Sequence, residues 1–352
     1  MRQISVSLLV TIAVLFAPLA AGAQVYPERI IARDKVRAVV AAYQQRRDSN
    51  NRVEQVDRTT RTLKLAATGV LGLGNIAGDI VVTRGNGPDA TVEIVKTARG
   101  RDADDAREQL ELVQVEVTER SGRADVRTRY PGGEQRRNNN RRNFSVSVAY
   151  NVTAPAGTRL AIESISGTVK VTDIKGDVSA STVSGDVRIT GAARISGAKT
   201  ISGVVEIVDA QSDGGIETSS VSGDVLLRRV TARRLNAGSV SGHIKLEELQ
   251  CDRVSASTTS GSITFSGPLA RNGRYELNGF SGDVRVILTG NTGFEVDANT
   301  FSGHINAEVP ITSRGSAPGD GARRKSLNGT FGDGSAVLDL TTFSGSIVIS
   351  KR

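Results

Sequence analysis

The chain has 352 residues, 23% of them charged, with a formal net charge of +8 at pH 7. Its single cysteine excludes an internal disulfide framework. Aromatic residues make up 4% of the sequence and tryptophan is absent, which disfavours a ligand pocket lined with rings.

Residues 1–23 have the parts of a secretory signal peptide. Arg2 supplies a positive start, residues 4–20 are apolar, and Ala21-Gly22-Ala23 is a small-residue cleavage site. We expect cleavage there and export of the chain to the periplasm or cell surface; the alternative is an uncleaved membrane anchor. An exported chain seldom meets nucleic acid, so a basic region would attract an anionic membrane, lipopolysaccharide or acidic glycan.

The basic bias lies in the leading part of the mature chain. Residues 24–152 carry 23 Lys and Arg against 17 Asp and Glu, whereas residues 153–352 carry 21 against 20. Residues 24–60 are interpreted as a helical or flexible segment, because Pro27 suits a first helical turn. Apolar side chains then recur roughly along one face, at Ile31, Val36, Val39, Val40 and Tyr43. This helix could lie on a membrane surface, cover the open end of the following β-structure, or be flexible.

Residues 61–152 predict a smaller β-rich region that contains one short helix. Strand-like segments lie at 63–65, 78–82, 90–97, 113–117, 124–129 and 144–152. Asp102 with Asp105 three residues later is a helix-start signal, which predicts a helix over 103–112. Within the polar loop 131–143 lie four arginines, Arg136, Arg137, Arg141 and Arg142. They are candidates for contact with an anionic surface; the alternative is a solvated loop.

From residue 153 onward one phrase, Ser-Gly-x-Val/Ile, returns nine times. Its glycines are Gly167, Gly185, Gly203, Gly223, Gly242, Gly261, Gly282, Gly303 and Gly345. Successive glycines are spaced by about 20 residues, and only the last interval is about twice as long. A near-constant period that persists over so many repeats is typical of a stacked repeat architecture.

Apolar residues recur at fixed places in each repeat. The third residue after each Ser is Val or Ile, as in Val187, Val225 and Ile263, and the residue two further on is again apolar in every repeat. Apolar residues two apart indicate strands. The residue before each Ser-Gly is apolar too, from Ile165 to Phe343, except for Thr259. We therefore expect an all-β β-solenoid over 153–352, with rungs of about 20 residues, in which each rung lays these side chains on the previous one.

Several segments together resemble the DUF4097 family of bacterial envelope proteins. The resemblance is carried by Gly-Asp-Ile-Val-Val at 78–82, the short acidic helix before 113–117, the lead-in at 150–157 and the Ser-Gly-Asp-Val series. It covers about residues 60–350 and implies a β-solenoid at the envelope with an adhesin-like role. It brings no catalytic residues. The arginine-rich loop and the helix at 27–48 depart from the family pattern.

Recurring aspartates after the turn glycines suggest a calcium ladder, but the series is broken. Asp186, Asp224 and Asp283 alternate with other residues in the same column, such as Val204 and His243. Calcium needs six to eight oxygens, which such a column does not supply. His243 and His304 are three repeat steps apart, roughly 14 Å, which is too far to share a zinc ion. We expect no bound metal and no cofactor.

Enzymatic activity is disfavoured by the length of the turns. Solenoids that cleave polysaccharides need clefts walled by long loops. Most repeats here are too short to contain such a loop; the exception is the Gly/Ser/Arg-rich stretch 310–325. No HExxH, GxSxG, P-loop or CxxC motif is present. The sequence thus predicts a non-enzymatic module that binds an envelope protein or glycan. The alternatives are a purely structural envelope component and, less favoured, a polysaccharide-acting enzyme.

Overall fold

The computed structural model describes residues 52–131, 144–313 and 325–352. Within these residues most of the chain forms strands, in which apolar and polar residues alternate. The signal peptide, most of the 24–60 segment and the arginine-rich loop lie outside these residues. Within them the protein is all-β with one helix, α1 (Ala103–Leu112). None of the helical structure described has the length and apolar character needed to cross a membrane.

The strands before the first Ser-Gly phrase form the start of the sheet. They are β1 (Val53–Leu63), β2 (Val70–Ala77), β3 (Ile80–Gly85), β4 (Ala90–Gly100), β5 (Gln114–Arg120), β6 (Arg123–Arg129), β7 (Val146–Pro155) and β8 (Arg159–Ser166).

The remaining strands range from two to 17 residues in length. They are β9 (Val169–Thr172), β10 (Asp177–Ser184), β11 (Val187–Thr190), β12 (Arg194–Ser202), β13 (Val205–Ser220), β14 (Val225–Ser241), β15 (Ile244–Glu247), β16 (Gln250–Ser260), β17 (Ile263–Gly267), β18 (Arg274–Ser281), β19 (Val284–Leu288), β20 (Phe294–Ser302), β21 (Ile305–Ala307), β22 (Thr312–Ser313), β23 (Lys325–Phe331), β24 (Ala336–Ser344) and β25 (Ile347–Lys351).

These strands form two hydrogen-bonded series. The first runs β1-β4-β7-β3-β9-β11-β13-β14-β15-β17-β19-β25-β21. The second runs β5-β6-β2-β8-β10-β12-β13-β14-β16-β18-β24-β20-β23-β22. The long strands β13 and β14 belong to both series, so the described strands make one sheet. Most pairs are parallel, and the antiparallel ones lie near the two ends of the series.

The core consists of columns of aliphatic side chains in register. Val187 pairs with Val205, Val205 with Val225, Val225 with Ile244 and Ile244 with Ile263. All five are completely buried. The predicted column through Val187, Val225 and Ile263 is therefore confirmed, and its burial supplies a large part of the hydrophobic stabilisation.

The last repeat in the chain is not the last in the stack. β24 pairs in parallel with β18 on one side and with β20 on the other. Likewise β25 lies between β19 and β21. The C-terminal repeat is thus inserted between two earlier repeats. This corrects the expectation that each repeat stacks on the one before it.

The turn glycines are required mainly by the closeness of neighbouring repeats. A Cβ on Gly185 or Gly223 would fall onto the carbonyl oxygen of the preceding turn glycine, Gly167 or Gly203, well inside van der Waals contact. Gly185 also has a positive φ of 155°, whereas Gly223 lies outside the positive-φ region. A positive φ therefore occurs at only some of the turns, whereas close stacking applies to both glycines.

The leading region agrees with the sequence in its helix and differs at its first strand. Asp102 caps α1, and its carboxylate accepts a hydrogen bond from the backbone N–H of Asp105 at 2.8 Å. The helix bounds are those predicted. Strand structure begins at Val53, earlier than the sequence indicated, because β1 is largely exposed and carries little apolar alternation. The division at residues 152 and 153 stays a prediction.

Candidate interaction surface

One column of apolar side chains faces solvent along the stack; we call it the apolar ridge. Its members are Ile165, Val183, Ile201, Val221, Val240, Thr259, Phe280, Phe343 and Phe301, in spatial order. The eight apolar members are 41–55% exposed. The sequence analysis placed these residues among the stacked apolar columns of the fold. They do stack in successive repeats, but this column lies on the surface, because strand alternation turns the side chains outward.

The ridge ends in three stacked phenylalanines. The Phe280 and Phe343 ring centroids are 5.0 Å apart with an interplanar angle of 4°. The Phe301 and Phe343 centroids are 4.8 Å apart at 6°. The rings cover one another's faces, so Phe343 presents mainly ring edges to solvent. The flat contact that an aromatic face makes with a ligand is not available on Phe343.

The rows beside the ridge are small and mostly uncharged. The serines of the Ser-Gly turns, such as Ser222 and Ser281, are exposed along one side. On the other side lie residues such as Ser219, Gly238 and Ser257, two positions before the ridge members. The ridge is therefore a raised apolar line between low polar rows, which suits close approach by another surface.

Beneath the ridge, hydroxyl groups replace apolar side chains in the core. Thr200 Oγ1 donates to the Gly185 carbonyl at 2.9 Å, and Thr258 Oγ1 donates to the Gly242 carbonyl at 3.1 Å. The same bond is made by Ser220, Ser239, Thr342 and Thr300. Each hydroxyl ties a turn to the neighbouring repeat and holds the ridge residue beside it pointing outward.

The aspartates that follow the turn glycines bind backbone rather than metal. Asp186 Oδ1 accepts from the Val204 N–H at 2.9 Å, and Asp224 Oδ1 accepts from the His243 N–H at 2.8 Å. Among the described residues, no cluster of three or more His, Cys, Asp or Glu has a geometry that could hold a metal ion. These carboxylates therefore link adjacent repeats.

The two histidines lie farther apart than the sequence indicated. Their column runs His243, Ser262, Asp283, Ser346 and His304. The inserted repeat makes the separation four steps rather than three, roughly 19 Å at strand spacing. His243 Nδ1 instead lies 2.8 Å from Ser262 Oγ and 3.1 Å from the Ser262 backbone nitrogen, which donates to it.

Cys251 is a core residue. It lies in β16, pairs with Ala232 of β14 and is 2% exposed. Burial raises the pKa of its thiol to about 11. A neutral, buried thiol is a poor nucleophile, so Cys251 serves packing.

Three carboxylates that the sequence analysis did not single out lie in register on neighbouring strands. Glu276 of β18 pairs with Asp339 of β24, which pairs with Asp297 of β20. Burial, and then the charges of Asp297 and Glu276, raise the pKa of Asp339, while Arg274 opposes the shift. Only the inserted order of the strands brings these residues together. The four candidate arginines of the 131–143 loop lie outside the described residues.

The family model for the Toastrack fold, DUF4097, matches residues 74–350. The chain belongs to the DUF4097 family. This confirms the resemblance and, with it, an all-β, solenoid-like fold. The match covers α1, every Ser-Gly repeat and most of both strand series, whereas β1 lies before it. No curated protein matches the chain significantly.

Solved structures with similar arrangements come from bacteria. A putative adhesin from Bacteroides fragilis has 14% identity and a TM-score of 0.40, covering 84% of this chain and 97% of its own. A putative lipid binding protein from Parabacteroides distasonis has 12% identity and a TM-score of 0.45, with the same coverage. At these low scores the similarities establish neither a shared binding partner nor an activity, and the family assignment rests on the sequence match.

Proposed function

We propose that this DUF4097 protein is an exported, non-enzymatic β-solenoid of the bacterial cell envelope that works as an adhesin-like interaction module. Its rungs are proposed to be about 20 residues long, as in other stacked repeats. The single observation that carries the functional proposal is the apolar ridge. Soluble monomers rarely expose contiguous apolar patches beyond a few hundred Å², and larger ones mark interaction sites. Eight large side chains, each about half exposed, reach that scale.

The ridge fits a protein partner. Eight steps at strand spacing make it roughly 38 Å long, which is long enough to run through one side of a standard interface of about 800 Å² per partner. Phe343, the middle one of the three stacked phenylalanines, presents ring edges rather than a ring face. The residues in the rows beside the ridge are mainly small and uncharged. An apolar protein surface of matching shape gains most from such a line, because aromatic anchors dominate protein interfaces.

A non-enzymatic role is supported by the tethered carboxylates. Asp186 and Asp224 each accept a hydrogen bond from a backbone amide of the next repeat, which gives both carboxylates a structural role. A polysaccharide-degradation screen tests this part of the proposal. Turnover that is abolished by Asp186→Asn or Asp224→Asn would overturn it, whereas we expect no turnover from the unchanged chain.

Chemical cross-linking in intact cells followed by mass spectrometry tests the ridge. The variant replaces Phe280, Phe301 and Phe343 by serine. The matched control replaces Val53 and Val56, which are 37% and 46% exposed but lie on β1, away from the ridge. We expect one reproducible protein partner that is lost in the ridge variant and kept in the control. A purely structural role predicts the same cross-links in all three proteins.

A further inference from the structure

A second surface feature is a cluster of arginines. It lies away from the Ser-Gly turns, near the middle of β13 and β14 and the beginning of β16. Arg233, Arg234, Arg253 and Arg271 line a cleft of about 580 Å³, which we call the arginine cleft. All four side chains belong to exposed residues. Arg234 of β14 pairs in register with Arg253 of β16, so their side chains leave adjacent parallel strands at directly opposite positions.

The cleft arginines differ from several basic residues elsewhere in the stack. These meet a carboxylate of the neighbouring repeat: Arg188 with Glu206 at 3.2 Å, Lys199 with Glu217 at 2.8 Å and Arg228 with Glu247 at 3.0 Å. Within residues 52–131, 144–313 and 325–352, none of the four cleft arginines lies within ion-pair distance of a carboxylate. Like charges directly opposite on neighbouring strands repel. The facing guanidinium groups of the cleft are therefore held together without a bound counter-charge, at a cost to the folded state.

The cleft is shaped to admit a ligand. Gly214 and Gly215 form one of its walls, and a Cβ on Gly214 would meet nothing within 4 Å. Asp213, Asp252 and Asn272 also line it, so it contains two carboxylates beside the four guanidinium groups. The excess of two positive charges favours an anion, and planar guanidinium groups bind carboxylate and phosphate oxygens in pairs.

We propose that the arginine cleft binds a linear acidic glycan. Arg234 of β14 and Arg253 of β16 lie one strand spacing apart along the stack, about 4.8 Å, and Arg271 continues the cluster in the turn before β18. A chain with repeated carboxylates or phosphates engages such a row in succession, whereas a single small anion reaches only part of it. This inference rests on the proposed interaction role and names the partner class of one further surface.

Binding of polygalacturonate, an acidic polymer, by the mature chain tests the inference, with dextran as the neutral polymer. The cleft variant carries Arg233→Ser, Arg234→Ser and Arg253→Ser. The matched control carries Arg188→Ser, Lys199→Ser and Arg228→Ser, which remove the same charge from paired positions. We expect the cleft variant to lose affinity about tenfold or more, because charge-assisted hydrogen bonds are among the stronger ones. The control should stay close to the unchanged chain.

A thermal shift separates loss of binding from loss of folding. Polygalacturonate should raise the Tm of the unchanged chain and of the control, but not that of the cleft variant. Equal loss of affinity in both variants, or no binding by the unchanged chain, would overturn the inference. So would cleft-dependent binding to phosphatidylglycerol vesicles without binding to the polymer, since the ligand would then be a membrane. The ridge variant should still bind the polymer, so failure here leaves the ridge partner untouched.

Discussion

The Phe280 and Phe343 rings stack with centroids 5.0 Å apart and planes within 4°, although they belong to repeats that are far apart in the chain. Phe301, nearer in sequence to Phe280, stacks on the other side of Phe343. The aromatic end of the ridge is therefore completed only by the C-terminal repeat. Its formation depends on the insertion of β24 between β18 and β20.

Truncation of each phenylalanine tests this order. Phe343→Ala removes two ring contacts, and Phe301→Ala removes one; such contacts contribute about 0.5–1.5 kcal/mol each. We expect Phe343→Ala to lower the free energy of unfolding about twice as much as Phe301→Ala, measured by urea denaturation. If the repeats stacked in chain order, Phe301 would be the central ring, and the ranking would be reversed.

The buried hydroxyls offer a prediction with an internal control. Thr258→Val removes the hydrogen bond to the Gly242 carbonyl and should cost about 1 kcal/mol. Thr182 occupies the equivalent place in β10, but its buried hydroxyl has no hydrogen-bond partner in the described part of the chain. Thr182→Val should therefore be neutral or stabilising. Equal losses at the two sites, measured by chemical denaturation, would show that the hydroxyl bond contributes nothing.

Alanine at the turn glycines tests how closely the repeats approach each other. In Gly223→Ala the new Cβ collides with the Gly203 carbonyl, and backbone must shift, at about 1–3 kcal/mol or more. Gly214 lies in β13 with open space around it, so Gly214→Ala should be close to neutral. Thermal unfolding of the two variants compares them directly. A Gly223→Ala protein as stable as the unchanged chain would contradict the stacked-turn geometry.

Cys251 yields a prediction about reactivity and pH. Its raised pKa, about 11, keeps the thiol neutral at pH 8, and burial shields it, so a thiol-specific disulfide reagent should label the native chain far more slowly than the unfolded one. The unfolded thiol ionises near its ordinary pKa, below that of the folded one. The contribution to stability is thus complete below about pH 9 and is lost as pH rises towards 11. Rapid native labelling at pH 8 would refute this description.

Much of the fold was predictable because its information is local. The Val187 and Val225 column follows from strand alternation, and α1 follows from the capping pair Asp102 and Asp105. The outward direction of the ridge also had a signal: counting in twos from Val178 through Ala180 places Thr182 inside and Val183 outside. The apolar identity of Val183 suggests burial, whereas the structure places Thr182 in the core and leaves Val183 44% exposed.

The remaining features depend on contacts between distant segments. The long interval before the last Ser-Gly phrase marked an irregularity, yet nothing local says that β24 inserts beside β18. The acidic row of Glu276, Asp339 and Asp297 depends on that insertion. The arginine cleft depends on the register between Arg234 and Arg253, which lie in successive repeats. The sequence analysis instead selected the four arginines that lie close together in the 131–143 loop.

Site-specific photo-cross-linking in intact cells tests the central claim, that the ridge binds a protein partner. A photoreactive phenylalanine analogue replaces Val240 on the ridge or Val56 on β1, which are 50% and 46% exposed. We expect an adduct of one defined mass from position 240, containing a different protein, and none from position 56. The same adduct from both positions, chain dimers alone, or no adduct from position 240 would contradict the claim.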